Sequence, residues 1–217
     1  MLLLLWKDKG TDMTHIYEPR LTRTEITKLR PTQITVGFRE VELKRKEWRE
    51  TAPTRGDGFL GHHIVPVVAG PKGRLFLVDH HHLVRALHEE GVEHLLTSVV
   101  ANLAHLEKDE FWSVMDHKNL IYPFDVAGLR RHTDDIPKKV EDLRDDPFRS
   151  LAGCLRMAGG FAKVAVPFSE FVWADFLRRR IGLDYVNRAF DEALATAMKL
   201  AKSGEARHLP GWCGIEQ

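Results

Sequence analysis

A short apolar run that changes directly into a helical pattern, with three histidines at the change, constrains this chain most. Residues 75–78 are continuously apolar and follow the Gly-Pro-Lys-Gly turn signal at 70–73, as expected for a strand covered on both faces. From Leu83 the apolar residues recur at helical spacing up to Gly91, which is suited to end a helix in the left-handed conformation. The sequence therefore predicts a buried strand, a histidine junction and a helix.

The start of this helix is predicted to attract an anion. With Asp79 as its N-cap, the main-chain N–H groups near His80 lack helical partners and lie at the positive end of the helix dipole. The same dipole disfavours imidazolium, so His81 and His82 are expected to be neutral near pH 7, ready to accept a proton, donate a hydrogen bond or bind a metal. Arg85 lies one turn further on, where its guanidinium would hold a phosphate oxygen.

The same residues have a structural alternative, a solvated helix start that Asp79 simply caps. The density of histidines favours chemistry instead. Seven of the 12 histidines lie between positions 62 and 94, and two adjacent strand ends would bring residues 62–63 close to the junction.

Three segments together resemble the ParB/sulfiredoxin superfamily, and in particular its ParB-like nuclease branch. They are Leu-Arg-Pro-Thr-Gln at 29–33, Pro-Val-Val at 66–68 and Val-Asp-His-His-His-Leu-Val-Arg-Ala-Leu at 78–87. In that superfamily the strand-to-helix junction commonly reads Asp-Gly-His-His-Arg or Gly-Glu-Arg-Arg and holds nucleotide phosphates. The resemblance spans residues 28–105 and continues in segments at 111–112, 145–153 and 173–178.

The junction can be compared with the family pattern position by position. Asp79 matches the family's acid, His81 and His82 match its His-His pair, and Arg85 with the alanine after it matches the Arg-Ala that follows.

Two positions depart from the pattern. His80 stands where the family often has glycine, and Leu83 stands where it has the phosphate-binding arginine. Sulfiredoxin activity is not expected, because it needs a reactive cysteine beside the motif and the first cysteine is Cys154.

The resemblance implies a phosphate or nucleotide ligand at the junction. The implied binding residues come from the junction and from the segment before the first helix, namely His80, His81, His82, Arg85, Arg30, Thr32 and Gln33. The implied catalytic residues are His81, His82, Asp79 and Glu40, the last because related phosphotransferases place a carboxylate base on this helix. For Glu40 a solvated helix charge is the alternative.

The resemblance also bears on cofactors. ATP, ADP or CTP is the implied nucleotide, and Mg²⁺ or Mn²⁺ the accompanying ion, while the sequence leaves the metal ligands unidentified. Asp134-Asp135 and Asp145-Asp146 are paired acids that suit Mg²⁺. Each pair also lies shortly before a proline, where acids usually start helices and turns.

Two classes of function stay open. The first is an enzyme acting at phosphorus, a hydrolase or phosphotransferase that performs NTP hydrolysis, phosphoryl transfer or phosphodiester cleavage. The second is a non-catalytic, DNA-associated partition-type module that binds a nucleotide. With 32 Lys and Arg against 31 Asp and Glu, the net charge is +1, so DNA binding would need a local basic patch. No helix-turn-helix reader follows the core, which favours the enzyme.

The patterns predict an α/β (α+β) fold with a small mixed sheet followed by a helical C-terminal half. We expect an N-terminal arm at 1–27, an α/β core at 28–106 and a helical region packed on it at 107–217. Strands are predicted at 63–69 and 95–101, a helix near 37–48, and a mobile loop at 50–61. Further helices are predicted at 109–117, 148–157, 169–181 and 185–202, with the aromatic stripe at 168–177 in the core.

The sequence predicts a cytoplasmic protein of bacterial type and leaves its oligomeric state open. Two cysteines, Cys154 and Cys213, indicate a reducing compartment without disulfides. The apolar opening at 2–6 is too short for a signal peptide or a membrane span, and Met13 is a second plausible start. Arg178-Arg179-Arg180 suits the negative end of a helix better than DNA contact.

Overall fold

The computed structural model describes residues 21–214, which form seven strands and seven α-helices. The strands are β1 (Leu21–Glu25), β2 (Leu29–Arg30), β3 (Thr35–Val36), β4 (Val65–Gly70), β5 (Arg74–Leu77), β6 (His94–Asn102) and β7 (Arg144–Asp145). The helices are α1 (Phe38–His62), α2 (His81–Glu89), α3 (Lys108–His117), α4 (Pro147–Met157), α5 (Ser169–Arg178), α6 (Leu183–Arg188) and α7 (Phe190–Lys202).

The main sheet has five strands in the order β1-β6-β4-β5-β2. β1 is antiparallel to β6, and β4 is antiparallel to β5. β4 is parallel to β6, and β2 is parallel to β5. The short strands β3 and β7 form a separate parallel pair. The predicted small mixed sheet is thus confirmed.

The two faces of the sheet carry separate hydrophobic clusters. On one face α1 and α2 cover Val65, Val67 and Leu77, and on the other α3 packs against Val68 and Phe76. Since neighbouring residues of β5 point to opposite faces, Phe76 and Leu77 are both buried. This explains the uninterrupted apolar run and its helical continuation in α2.

The C-terminal half is helical, as predicted, and has its own core. Trp173 of α5 is fully buried. Its ring stacks on Phe161 with centroids 4.3 Å apart, and its indole N–H donates to the carbonyl of Pro210 at 2.8 Å. Burial of most of the stripe agrees with the prediction, but Val172 faces solvent.

The segment 50–61, predicted to be a loop, belongs to α1 instead. Phe59 is buried and packs edge-on against Trp48 with ring centroids 5.4 Å apart. This packing outweighs the low helix propensity of Pro53 and the glycines, since propensity is only a weak preference.

Two further boundaries differ from the predictions. β1 lies within the predicted arm at 1–27, while the apolar opening at 2–6 and Met13 lie outside the described residues. The helix predicted at 185–202 is divided at Ala189, whose φ of −138° is not helical. Cys154 and Cys213 are free thiols. Between residues 21 and 214 there is no helix with the length and apolar character needed to cross a membrane.

Candidate functional site

The junction between β5 and α2 opens with a left-handed residue. His80 has φ 64° and precedes the first residue of α2, and no side chain caps the helix. The predicted capping by Asp79 is wrong, because its Oδ1 accepts the N–H of His80 at 2.6 Å. The N–H groups of the first turn, at residues 81–83, therefore lack a protein cap and remain open to an anion.

His81 joins this helix to the segment before α1. Its side chain is buried, and its Nε2 accepts the main-chain N–H of Thr32 at 3.1 Å. The hydroxyl of Thr32 donates in turn to the carbonyl of Leu77 at 2.7 Å. These bonds fix residue 32 against both β5 and α2.

His82 makes the corresponding connection to the start of α1. Its Nε2 accepts the N–H of Gly37 at 2.9 Å and lies 3.6 Å from Oε2 of Glu40. The same carboxylate oxygen of Glu40 accepts from Nη1 of Arg149 at 2.8 Å. A histidine thus lies beside a hydrogen-bonded carboxylate–arginine pair, and the three side chains come from three different helices.

Both of these histidines are neutral at physiological pH, as predicted. Burial, and then the charge of His82, lowers the pKa of His81 to about 3. Burial, with Arg149 and Lys44, holds the pKa of His82 well below its usual value. Because each Nε2 accepts a main-chain N–H, the proton of each neutral ring is on Nδ1.

A cavity of about 610 Å³ opens beside these residues, and we call it the junction cavity. It lies between the start of α2, the side of α1, helix α4 and the segment before α5. Its charged lining residues are the cations Lys44, Arg149, Arg156 and Lys163 and the carboxylates Glu40, Asp79 and Glu170.

Arg149 is the most buried of these cations. It is 7% exposed, and its Nε is buried without a hydrogen-bond partner among residues 21–214. Its guanidinium carbon lies 5.2 Å from the ring centroid of Phe171. A buried guanidinium N–H without an acceptor destabilises the folded protein unless a ligand accepts that hydrogen bond. Arg149 is not among the predicted site residues, although a single arginine between apolar residues of α4 is a signal in the sequence.

His80 differs from the two histidines that follow it. It is half-buried and lines the junction cavity, and within the described part of the chain its ring makes no hydrogen bond. Burial lowers the pKa of His80, against the opposing effect of Asp79. Its ring is therefore neutral and keeps both nitrogens available to a ligand.

Backbone strain is concentrated around this cavity. Four non-glycine residues between 21 and 214 have positive φ, and three of them, His80, Asn119 and Phe168, line the junction cavity. Left-handed backbone costs a residue with a side chain roughly 1–2 kcal/mol, and such strain clusters at functional sites.

Of the other predicted binding residues, only Gln33 lines the junction cavity, while Arg85 and Arg30 lie elsewhere. Gln33 is buried and lines the junction cavity. Arg85 does not line it, because its guanidinium donates to the carbonyls of Glu141 and Leu143, each at 2.9 Å. Arg85 therefore fastens a loop to α2. Arg30 lines a different pocket, because β2 is an edge strand on the far side of β5.

Three of the four paired acids are bonded to protein donors. Asp145 accepts the N–H of Phe38 at 2.8 Å, and Asp146 caps α4 and binds Arg178 at 2.6 Å. Asp134 pairs with Lys108 at 2.5 Å. Within the described part of the chain, no three His, Cys, Asp or Glu residues are grouped so that they could hold a metal ion. Their contacts are thus those of acids that start helices and turns, which was the alternative to a metal site.

Together, the fold and the cavity define an α/β protein with a polar cavity at a strand-to-helix junction. The sequence model of the family described as "Putative ParB-like nuclease" matches residues 22–179. Because this match covers more than half of the chain, the protein belongs to the ParB-like nuclease family.

Two solved structures are similar to this chain. The crystal structure of protein Atu1540 from Agrobacterium tumefaciens is 74% identical, with a TM-score of 0.87, over 93% of this chain and 100% of that one. The C-terminally truncated chromosome-partitioning protein ParB from Caulobacter crescentus, complexed with CTP-γ-S, is 14% identical to this chain, with a TM-score of 0.30. The match covers 84% of this chain and 97% of that one. Similarity this low does not carry the bound nucleotide over to this chain. Among the curated proteins, none matches the sequence significantly.

Proposed function

We propose that this chain binds the phosphate of a nucleotide or of a nucleic acid in the junction cavity and acts on it as a hydrolase or phosphotransferase. One observation carries the proposal: the uncapped first turn of α2 opens into the same cavity as the buried Arg149, whose Nε has no partner among residues 21–214. Membership of the ParB-like nuclease family supports phosphate as the ligand.

The phosphate would be held from two sides. The N–H groups of residues 81–83 would donate from the helix start, where the dipole also favours negative charge. Arg149 would donate from α4, because Nη1 alone is engaged with Glu40. Lys163, which is exposed at the cavity and makes no ion pair within residues 21–214, would balance the charge of a second phosphate.

In this proposal His80 carries the proton. It is neutral and has free ring nitrogens, so it would take a proton from the attacking water or hydroxyl as that oxygen bonds to phosphorus. The bond from phosphorus to the leaving oxygen breaks, and the leaving group departs with the electron pair. His81 and His82 would act as positioning residues, because their Nε2 atoms already hold the main chain.

The nucleotide in this proposal is ATP, ADP or CTP, and DNA is a further substrate. Mg²⁺ or Mn²⁺ would arrive bound to the phosphate oxygens, because this ion favours such ligands with only one or two carboxylates. Two carboxylates of the cavity lining lie at the helix start, since Asp79 accepts the N–H of His80 and Glu40 lies 3.6 Å from His82.

A specific observation also favours a second candidate, a partition-type nucleotide switch without turnover. Through His81 and His82, the start of α2 is bonded to residues 32 and 37. An anion at this helix start would therefore be coupled to the position of α1. Such a module would bind nucleotide as tightly as the enzyme would, but would release no product.

The test combines calorimetric titration with product analysis. ATP, ADP, CTP and supercoiled DNA are each titrated with and without Mg²⁺ or Mn²⁺, against wild type and Arg149→Ala, with Arg207→Ala as a matched exposed control. Loss of a charged hydrogen bond should weaken binding about 10- to 100-fold in Arg149→Ala only. Equal affinities in the two variants, or no binding in wild type, would refute the proposal. Binding without product would establish the switch instead.

A further inference from the structure

A second pocket lies on the edge of the sheet that is formed by β2 and β5. Its volume is about 290 Å³, close to the lower limit for small-ligand sites. We call this pocket the Trp112 pocket, and its floor is aromatic. The floor consists of Phe76, Phe111 and Trp112, whose ring centroids are between 4.6 and 5.4 Å apart.

The rim of the Trp112 pocket is strongly basic. Its lining holds five cations and a single carboxylate, and that carboxylate, Asp134, is already paired with Lys108. The other four cations are Arg30, Lys72, Arg74 and Lys138. None of these four makes an ion pair with an acid among residues 21–214.

Arg30 and Arg74 show the imbalance best. Burial, together with the charge of Arg74, lowers the pKa of Arg30. A neighbouring like charge disfavours a guanidinium, and an anion between these two groups would offset that repulsion. Guanidinium also suits phosphate, because its planar fork donates two parallel hydrogen bonds.

One further feature points to a ligand at the same place. Trp112 is half-buried, and its indole N–H, which has no hydrogen-bond partner within the described residues, is accessible to a ligand in the pocket.

We propose that the Trp112 pocket binds a nucleotide unit, with its base against Trp112 and its phosphate between Arg30 and Arg74. The pocket has room for one unit, and an aromatic floor with a cationic rim is the arrangement that binds unpaired bases and their backbone. The unit is either a free mononucleotide or part of a single strand. This site is separate from the junction cavity, and the inference does not depend on the chemistry proposed there.

The experiment measures fluorescence anisotropy with a labelled oligothymidine of about eight nucleotides, using the full chain at about 50 mM salt. The variants are Arg30→Ala/Arg74→Ala and Trp112→Leu. The matched control is Arg188→Ala/Arg207→Ala, which removes two exposed arginines from the helical half. Circular dichroism and melting temperature are recorded for each, and Lys138→Ala, in an exposed loop, serves as a second rim variant if Trp112→Leu fails to fold.

The dissociation constant should rise at least tenfold in the arginine variant. The slope of its logarithm against the logarithm of the salt concentration should decrease by about 1 to 1.5. Trp112→Leu should weaken binding about fivefold or more, while the control stays within twofold of wild type. Competition by AMP identifies a free mononucleotide as the ligand, and its failure to compete identifies a strand.

Two results would overturn the proposal. In one, both pocket variants bind the oligonucleotide as wild type does. In the other, an abasic oligomer of the same length binds equally well and Trp112→Leu has no effect, which would leave a phosphate site without a base. Arg149→Ala and Arg207→Ala both keep the Trp112 pocket, so the difference between their titrations reports on the junction cavity alone. This proposal and the proposed function therefore fail separately.

Discussion

The Nε2 atom of His82 accepts the main-chain N–H of Gly37 at 2.9 Å, which fastens the start of α1 to the start of α2. His81 does the same for Thr32 at 3.1 Å. A ligand bound at the start of α2 would therefore lie beside two histidines whose Nε2 atoms already accept main-chain hydrogen bonds. The three neighbouring histidines therefore differ in role: His81 and His82 hold the main chain, whereas His80 faces the junction cavity.

Removal of the His82 side chain should destabilise the protein. In His82→Ala the buried N–H of Gly37 loses its acceptor, and an unsatisfied buried group costs about 1–3 kcal/mol. Urea unfolding should show this loss, and His82→Gln should recover part of it because its amide oxygen also accepts. Unchanged stability of His82→Ala would mean that the bond is dispensable.

Stability should fall in acid because of the buried histidines. The folded pKa of His81 is about 3, below its ordinary value of 6.5, so between these values the unfolded chain binds a proton that the folded chain does not. Each such group contributes stability that is fully present above pH 6.5 and decreases by at most about 1.4 kcal/mol per pH unit towards pH 3.

The check is the difference in unfolding free energy between wild type and His81→Gln from pH 7 to pH 4. Buried carboxyls with a raised pKa, such as Asp146, act in the opposite direction in both proteins and cancel in this difference. The difference should shrink as the pH falls. A constant difference would show that His81 titrates normally.

His80→Gly should separate stability from function. Glycine adopts φ 64° freely, so relief of backbone strain should stabilise the fold by roughly 1 kcal/mol. If His80 is the proton carrier, phosphate-directed turnover should fall by about 10² or more. His80→Asn, which tolerates the left-handed region, is the control for conformation. Full turnover in His80→Gly would remove His80 from the chemistry.

Gly153→Ala should disturb the Glu40–Arg149 pair without changing any charge. An added Cβ would lie 2.9 Å from Oε2 of Glu40 and 3.2 Å from Nη1 of Arg149. We expect nucleotide affinity to drop several-fold, by about 1 kcal/mol, because the guanidinium must shift. Gly182→Ala meets nothing within 4 Å and should bind as wild type does. Equal affinities would show that Arg149 does not position the phosphate.

Much of this architecture could be predicted from periodicity. The run at 75–78 and the spacing after Leu83 indicate β5 and α2, since a buried strand and an amphipathic helix differ in period. The helical course of 50–61 could not be predicted locally, because contact between Trp48 and Phe59 overrides weak propensity.

The site was predictable only in part. The junction follows from local sequence. The neutrality of His81 was expected from the helix dipole, but burial is its main cause. The placement of Arg85 against a loop, and of Arg149 beside Glu40, depends on residues distant in the chain, and no local pattern encodes such contacts. The left-handed φ of His80 does have a sequence signal, since the family often has glycine at that position.

A crystal structure of the protein with ADP tests the central claim most directly. We expect a phosphate within hydrogen-bond distance of the N–H groups of residues 81–83, with Arg149 on its other side and the ring of His80 facing the terminal phosphorus. Occupancy of the Trp112 pocket alone, with the start of α2 bare at saturating ADP, would contradict it.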